Sequence, residues 1–355
     1  MSAKISLGQA ISVQPLGDHR YASNFPKQYS NGGAAHGGLI AALFAETART
    51  YFEDQASKRD PQQPSRLHRL HVEYLRPVDA DKRGTIKSAP KLISRKIPHP
   101  RTRAGRTLSI LTDFWQPSAD TMAMDTAFAA HSHTNESQGS IISLSEDVKA
   151  IKEQPIPDLV RGLASDPEWI RCRIAQDPYS KVRTNFDFVL RRDSPWECMS
   201  VEEWITPRGS SPGADGKEER FSTESLGLVA DLWPQIVDSF LRSPYSAPAM
   251  VLQALTLERD SEDAVKAGFV LTEEEVSRWV TAWYPTMTLD LQITKPLATD
   301  GERWLWQKAW AEQITNKGMD VQLRIADSQG DLVAIGQLVV MVVNQERNRG
   351  RTGRM

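Results

Sequence analysis

The chain states one plan twice. In its first half, "NGGAAHGGLIAALFAETARTYFEDQA" reads as a Gly-rich loop feeding a helix, with Leu39, Leu43 and Phe44 on one face. The runs "RLHRLHVEYLRPV", "GTIKSAPKLISRKI", "AGRTLSILTDFWQ" and "MAMDTAFAAHS" follow, each with period-2 character and separated by Pro, Gly and Asp turns. In the second half the strand-like "NFDFVLRR" and a polar loop precede a helix, "STESLGLVADLWPQIVDSFL". After that helix come "YPTMTLDLQITKP", "RWLWQKAWAEQI", "GMDVQLRIADSQG" and "LVAIGQLVVMVVN". Both helices are apolar nearly all round, so each must be buried on every side, and a sheet wrapped around it does that. The expected fold class is therefore α+β, with two helix-wrapped antiparallel sheets joined in one chain.

A helix enclosed in this way is the hotdog arrangement, and two units in one chain make a double hotdog with sheets paired edge to edge. A length of 355 residues, 40% of them hydrophobic, suits two such cores. The first unit is placed at residues 1–137 and the second at 180–346, with an Asp-, Glu-, Pro- and Ser-rich connection over 138–179 and a flexible tail over 347–355. The second unit carries an addition over 244–282, acidic and helical, between its helix and its next strand. An insertion placed there is expected to cover the mouth of a site as a lid, with Trp279, Val280 and Phe269 as its apolar side. A helical decoration packed on the outside of the sheet is the alternative.

A net charge of −2 supplies no field that would gather polyanions, so nucleic acid and anionic membranes are not expected partners. No stretch reaches the roughly 20 apolar residues of a membrane span. Cys172 and Cys198 show neither disulfide density nor metal-ligand spacing, which fits a reducing compartment and implies no metal and no cofactor. A cytoplasmic protein is expected. The terminal Gly353, Arg354 and Met355 are similar to a peroxisomal address, although Gly is off pattern at the first place. Homo-oligomers through the sheets are open to a fold of this kind.

Motifs in both halves then point to one family. "HGG" (His36, Gly37, Gly38) before a helix, "VEYLRP" and "AGRTLSILTDFWQ" in the first half, and "VADLW", "TLDLQITKP", "WLW" and "GDLVAIGQ" in the second, recur in a shared order. In this the chain resembles the acyl-CoA thioesterase II type, and more closely the fungal and bacterial thioesterase-like double-hotdog proteins, over nearly all of residues 20–345. The resemblance implies hydrolysis of an acyl thioester, on coenzyme A or another pantetheine arm. It places the essential acid at Asp231, the hydroxyl at Thr288 and the strand glutamine at Gln337. A thioester carbonyl is electrophilic enough for a water partly deprotonated by one carboxylate to attack it directly. Asp231, confined on an apolar helix, would be that base, and Thr288 and Gln337 would orient the water or donate to the oxyanion. Taken singly, each has a plainer explanation: a satisfied helix Asp, a good strand former, a cross-strand Gln.

The family strand continues with His where this chain has Leu291, which leaves open a second class of function. The alternative is a non-hydrolytic step, such as cyclisation, dehydration or acyl transfer, on a thioester-derived or polyketide intermediate of secondary metabolism. A third is a binding protein without catalysis. Asp290 lies two residues after Thr288 and shares its face; it is expected to serve the architecture, with a place near the substrate as the other option. Gly37 and Gly38 either present N–H groups to the substrate or make a turn that needs glycine dihedrals. The basic run "SRKIPHPRTRAGR", with Arg106, would meet coenzyme A phosphates or solvate a hairpin. Trp279 and Trp283, like Trp304 and Trp306, would wall an acyl chain or pack a core. Glu46 is either a second acid or a helix-edge residue.

Overall fold

The structure, a computed structural model, describes residues 4–56, 66–74, 77–80, 83–92, 106–116, 123–133, 156–196, 198–208, 218–279, 282–315 and 317–344. The expected double hotdog is what the chain forms. The N-terminal half supplies a short helix α1 (Leu7–Ala10), strands β1 (Gln14–Gly17) and β2 (Arg20–Asn24), and the small ladder β3 (Ser30–Asn31) with β4 (Ala34–Ala35). The long helix α2 (Gly37–Ala56) comes next, then β5 (Arg66–Glu73), β6 (Arg83–Leu92), β7 (Arg106–Gln116) and β8 (Ala123–His133). The C-terminal half adds β9 (Trp169–Gln176), β10 (Phe186–Arg191), β11 (Ser200–Pro207), and helices α3 (Leu226–Ala230) and α4 (Ile236–Phe240). It continues through α5 (Ala247–Asp260), α6 (Glu262–Ala267), β12 (Phe269–Val270), α7 (Glu273–Trp279) and β13 (Ala282–Trp283). It closes with β14 (Thr286–Ile293), β15 (Leu305–Ile314), β16 (Gly318–Ala326), β17 (Leu332–Met341) and β18 (Val343–Asn344).

Among the described residues, fourteen strands form one sheet in the order β1-β2-β6-β7-β8-β5-β14-β17-β16-β15-β11-β10-β9-β12. The halves meet where β5 and β14 pair antiparallel, with Leu289 opposite Val72 and Leu291 opposite Leu70. These four side chains are fully buried; the alternate positions, Glu73, His71 and Asp290, face the other way. On the inner side α2 lies nearly submerged, with Leu39, Ala41, Ala42, Leu43, Phe44 and Ala45 all at most 1% exposed. An all-round apolar helix requires this setting. Among the described residues no helix is long and apolar enough to cross a membrane.

Three expectations about organisation change. The connection assigned to 138–179 contains β9, which pairs with β10 from Trp169 opposite Arg191 to Arg173 opposite Asp187, so the second sheet begins earlier. Residues 138–155 lie outside the described part. The second central helix is not continuous. Pro234 lacks an N–H, and its ring would clash with the carbonyl four residues back. That residue is Ala230, where α3 ends, and Asp231 becomes its C-cap with φ −112° and ψ 11°.

The addition over 244–282 is for the most part a cover for the sheet's far edge, not a lid. Helix α5 packs on β9 and β10, with Met250, Val251 and Ala254 buried. Strand β12 runs parallel to β9, Phe269 opposite Ile174, and Phe269 is sunk in the core. A bare edge strand presents unpaired N–H and C=O groups, and β12 covers that edge. The side chain of Trp279 and all of Val280 lie outside the described part. Among its described residues only the two ends of the addition, Tyr245 on one side and Ala282 on the other, reach the cavities described next.

Candidate active site

The site forms where the two central helices cross. Gly38 and Gly227 make that crossing close: a Cβ on Gly38 would stand 2.8 Å from the Gly227 carbonyl oxygen and the Leu228 Cα, and one on Gly227 would stand 2.9 Å from the Ala41 Cβ. Gly37 and Gly38 both have ordinary negative φ, so close approach and not a turn is what requires glycine here. The approach delivers Asp231, at the broken end of α3, to the first turn of α2.

There the Asp231 carboxylate is 8% exposed. The Gly38 N–H donates to its Oδ2 at 2.8 Å and the Thr286 hydroxyl donates to its Oδ1 at 2.7 Å. A negative group at the start of a long helix also gains from the helix dipole. His36 Nε2 stands 3.7 Å from Asp231 Oδ2, beyond direct hydrogen-bond reach. Burial pushes the His36 imidazole below its ordinary pKa, against the pull of Asp231, so the ring is held towards its neutral form. Its Nδ1 is buried without a hydrogen-bond partner. Tyr74 donates from its hydroxyl to the Gly37 carbonyl at 2.9 Å and so pins the entry to α2.

Two adjoining cavities open from this point. The larger, about 300 Å³, is lined by His36, Gly37, Ile40, Tyr74, Val78, Asp231, Gln235, Trp283, Thr286 and Met287, among others. The smaller, about 70 Å³, shares Asn31, His36, Asp231, Gln235, Trp283 and Tyr284 with it and continues to Arg183, Trp233, Asp238 and Tyr245. In its wall Tyr284 donates to Asp238 Oδ1 at 2.8 Å. Burial pushes the Asp238 carboxyl up to about 7.

Of the residues singled out from sequence, His36, Gly37, Gly38, Asp231 and Trp283 come together. Thr288, Asp290 and Gln337 do not. Asp290 pairs with Gln337 and Thr288 with Val339 across β14 and β17, and Gln337 and Val339 are exposed on the outer face. The carried-over triad therefore does not converge: its hydroxyl is supplied by Thr286. The register slips by one residue between Thr286 and Thr288, and this bulge turns Thr286 inward although strict alternation would send both outward. Asp290 instead accepts from Arg69 Nε at 3.0 Å and contacts His71 Nδ1 at 3.1 Å, tying β14 to β5 on the outer side of the seam. Leu291, in the place of the family histidine, is fully buried in the core.

The remaining candidates sort as follows. Trp304 and Trp306 belong to a second core cluster with Trp169 and Trp204. Glu46 is paired with Arg49 at 2.6 Å and lines neither cavity. Residues 93–105 and the side chains of Arg106 and Trp279 lie outside the described part, as do Gly353, Arg354 and Met355. Sequence reading missed Thr286, Tyr74, Gln235, Asp238 and Tyr284. Tyr74 stood within "VEYLRP" and Thr286 within "YPTMTLD", so both lay inside motifs that were weighed.

Comparison with known proteins agrees with this architecture. The acyl-CoA thioesterase N-terminal domain matches residues 25–112, and the acyl-CoA thioesterase C-terminal domain matches residues 155–342. The thioesterase-like protein TwmA of Talaromyces wortmannii is 22% identical over 98% of this chain and 95% of its own length. A putative thioesterase II from Thermobifida fusca superposes with a TM-score of 0.58 at 14% identity, over 96% of this chain and 98% of that one. A hot dog protein of unknown function from Alicyclobacillus acidocaldarius superposes with a TM-score of 0.55 at 13% identity, over 94% and 97% of the two chains. With its two domain matches in order on two fused, helix-filled sheets, the chain belongs to the acyl-CoA thioesterase family.

Proposed function

We propose that the protein hydrolyses an acyl thioester, on coenzyme A or another pantetheine arm, with Asp231 as the base that activates water. The observation that carries this reading is the Asp231 carboxylate, anchored by the Gly38 N–H and the Thr286 hydroxyl at the head of a cavity of about 300 Å³. Each carboxylate oxygen has a lone pair left for a water in the cavity. That water gives a proton to Asp231 as its oxygen bonds to the thioester carbon. The carbonyl becomes an oxyanion beside the positive end of α2 and the neutral His36 ring, whose N–H is suited to donate to it. The oxyanion then collapses, the carbon–sulfur bond breaks, and the thiolate recovers the proton from Asp231. Acid and free thiol leave. Thr286 holds the carboxylate in orientation. Trp283, Ile40, Val78 and Met287 supply the apolar walls an acyl chain needs.

The presence of a second proton-exchanging group, His36, 3.7 Å from Asp231, favours one other reading: a cyclisation, dehydration or acyl transfer at the same cavity. Turnover of acyl-CoA and acyl-pantetheine thioesters in isotopically labelled water, followed with a thiol-reactive dye, separates the two. Hydrolysis predicts free thiol in step with one labelled oxygen in the acid product. Consumption of substrate without a labelled acid product, with or without thiol release, would replace hydrolysis by the second reading.

A further inference from the structure

We infer that Tyr284 and Asp238 are a positioning pair for the base. Their hydrogen bond fastens the segment that carries Thr286 to the far side of the break in the second central helix, and Thr286 thereby holds Asp231 in aim. The inference rests on the reading of Asp231 as the reacting group and adds two residues that act on it through Thr286.

The helix break creates the need. Pro234 stops the helical ladder, so Asp231 ends α3 as its C-cap while Asp238 stands in the first turn of α4. No continuous ladder then fixes the one helix relative to the other. The segment 284–286 supplies a link. Tyr284 donates to Asp238 Oδ1 at 2.8 Å on one side of the break, and Thr286 donates to Asp231 Oδ1 at 2.7 Å on the other. Residues two apart in an extended chain share a side, and a residue before proline is held extended. Tyr284 and Thr286, on either side of Pro285, therefore present their hydroxyls together. The backbone of the same segment is held from the sheet: the Pro285 carbonyl accepts from the Met341 N–H at 2.9 Å, and the Met287 carbonyl accepts from the Tyr74 N–H at 2.8 Å.

Placement assigns the pair to positioning and not to chemistry. Asp238 lines the smaller cavity and not the larger one in which the thioester is placed. Its carboxyl is 6% exposed, and its Oδ1 is taken by Tyr284. A buried carboxyl is costly unless it is hydrogen-bonded, and the bond that satisfies this one also anchors the chain two residues before Thr286. That anchor matters because Thr286 turns inward only through the bulge between Thr286 and Thr288, against strict alternation. An attachment upstream on the same side favours the inward turn.

A double-mutant cycle separates such a tether from a pair that merely satisfies its own buried groups. Tyr284→Phe should lower kcat about fivefold or more with KM within about twofold, and in the Thr286→Val background it should add less than about twofold, because the bond it acts through is already gone. Asp238→Leu should lose a similar factor. Asp238→Asn, whose amide oxygen still accepts from the Tyr284 hydroxyl, should recover most of that loss. A crystal structure of Tyr284→Phe should show the Thr286 bond to Asp231 broken or stretched beyond the ordinary range of about 3 Å. Losses that multiply in the double variant would overturn the inference, and so would an intact Thr286 bond in Tyr284→Phe. Asp238→Asn as slow as Asp238→Leu would also overturn it, by giving the role to the charge. The cycle itself removes only two hydroxyls, so it decides the matter even if Asp238→Leu does not fold. Failure of the underlying reading shows separately: an active Asp231→Asn would remove the base, while the Thr286 bond in Tyr284→Phe decides the tether by itself.

Discussion

Asp290 shows how far single residues could be read. A carboxylate in the middle of a strand asks for a partner, and the partners are Arg69 and His71 of the neighbouring β5. Its structural duty was readable; the identity of the partners was not, because they come from the other half of the chain. The hydroxyl beside Asp231 was misassigned for a definable reason. Alternation puts Thr286, Thr288 and Asp290 on one face, and only the bulge between Thr286 and Thr288 turns the first inward. A one-residue slip of this sort leaves no mark in composition or period. It yields a paired prediction. Thr286→Val removes a hydrogen bond to the Asp231 carboxylate and, if Asp231 is the base as proposed, should lower kcat about tenfold or more, in the range for a group that orients a general base. Thr288→Val, on the outer side of the same strand, should leave kcat within about twofold, as surface changes away from such features do. Steady-state thiol release from both variants decides it, and equal losses would remove Thr286 from the site.

Among the elements, the two central helices explain why the site lies where it does. Both were recognisable from their all-round apolar character, and the "HGG" that opens α2 was marked for attention. What the glycines are for became clear only from the crossing, where they let α3 approach and where the Gly38 N–H is given to Asp231. Pro234 was visible too, and the rule that it ends the helix at Ala230 was available to apply. The edge-covering role of residues 246–279 was not visible, since an amphipathic addition reads the same over a cavity or over a sheet edge. Replacing Gly38 by Ala puts a Cβ 2.8 Å from backbone atoms of Gly227 and Leu228. Backbone cannot swing aside. The variant should lose about 1–3 kcal/mol of stability, as overpacked cores do, and a larger fraction of turnover than of substrate binding, because α3 must withdraw its carboxylate from α2. Thermal unfolding together with a KM-against-kcat split tests this; an unchanged melting temperature with full activity would mean the crossing tolerates the added atom.

At the scale of the whole molecule, the site belongs to neither half alone. The first half contributes His36, the first turn of α2 and Tyr74; the second contributes Asp231, Thr286 and Trp283. The continuous sheet through β5 and β14 fixes these groups relative to one another, which is why a chain with two similar halves must carry both to have one complete site. The doubled plan was legible because it rests on hydrophobic period, and the family followed from motif order. The convergence of particular side chains depends on register and on a helix break, which act over distances that sequence pattern does not report. Everything in the functional reading depends on Asp231 acting as the base. Its replacement by Asn keeps size, lets the amide oxygen still accept from the Gly38 N–H while the amide NH2 donates to the Thr286 hydroxyl, and removes the charge that takes a proton. The direct measurement is single-turnover thiol release by Asp231→Asn, in protein whose melting temperature and affinity for a non-hydrolysable thioether analogue match the native enzyme. A fall of about 100-fold or more is predicted, whereas retention of more than about a tenth of the native rate would contradict the assignment of Asp231 as the general base.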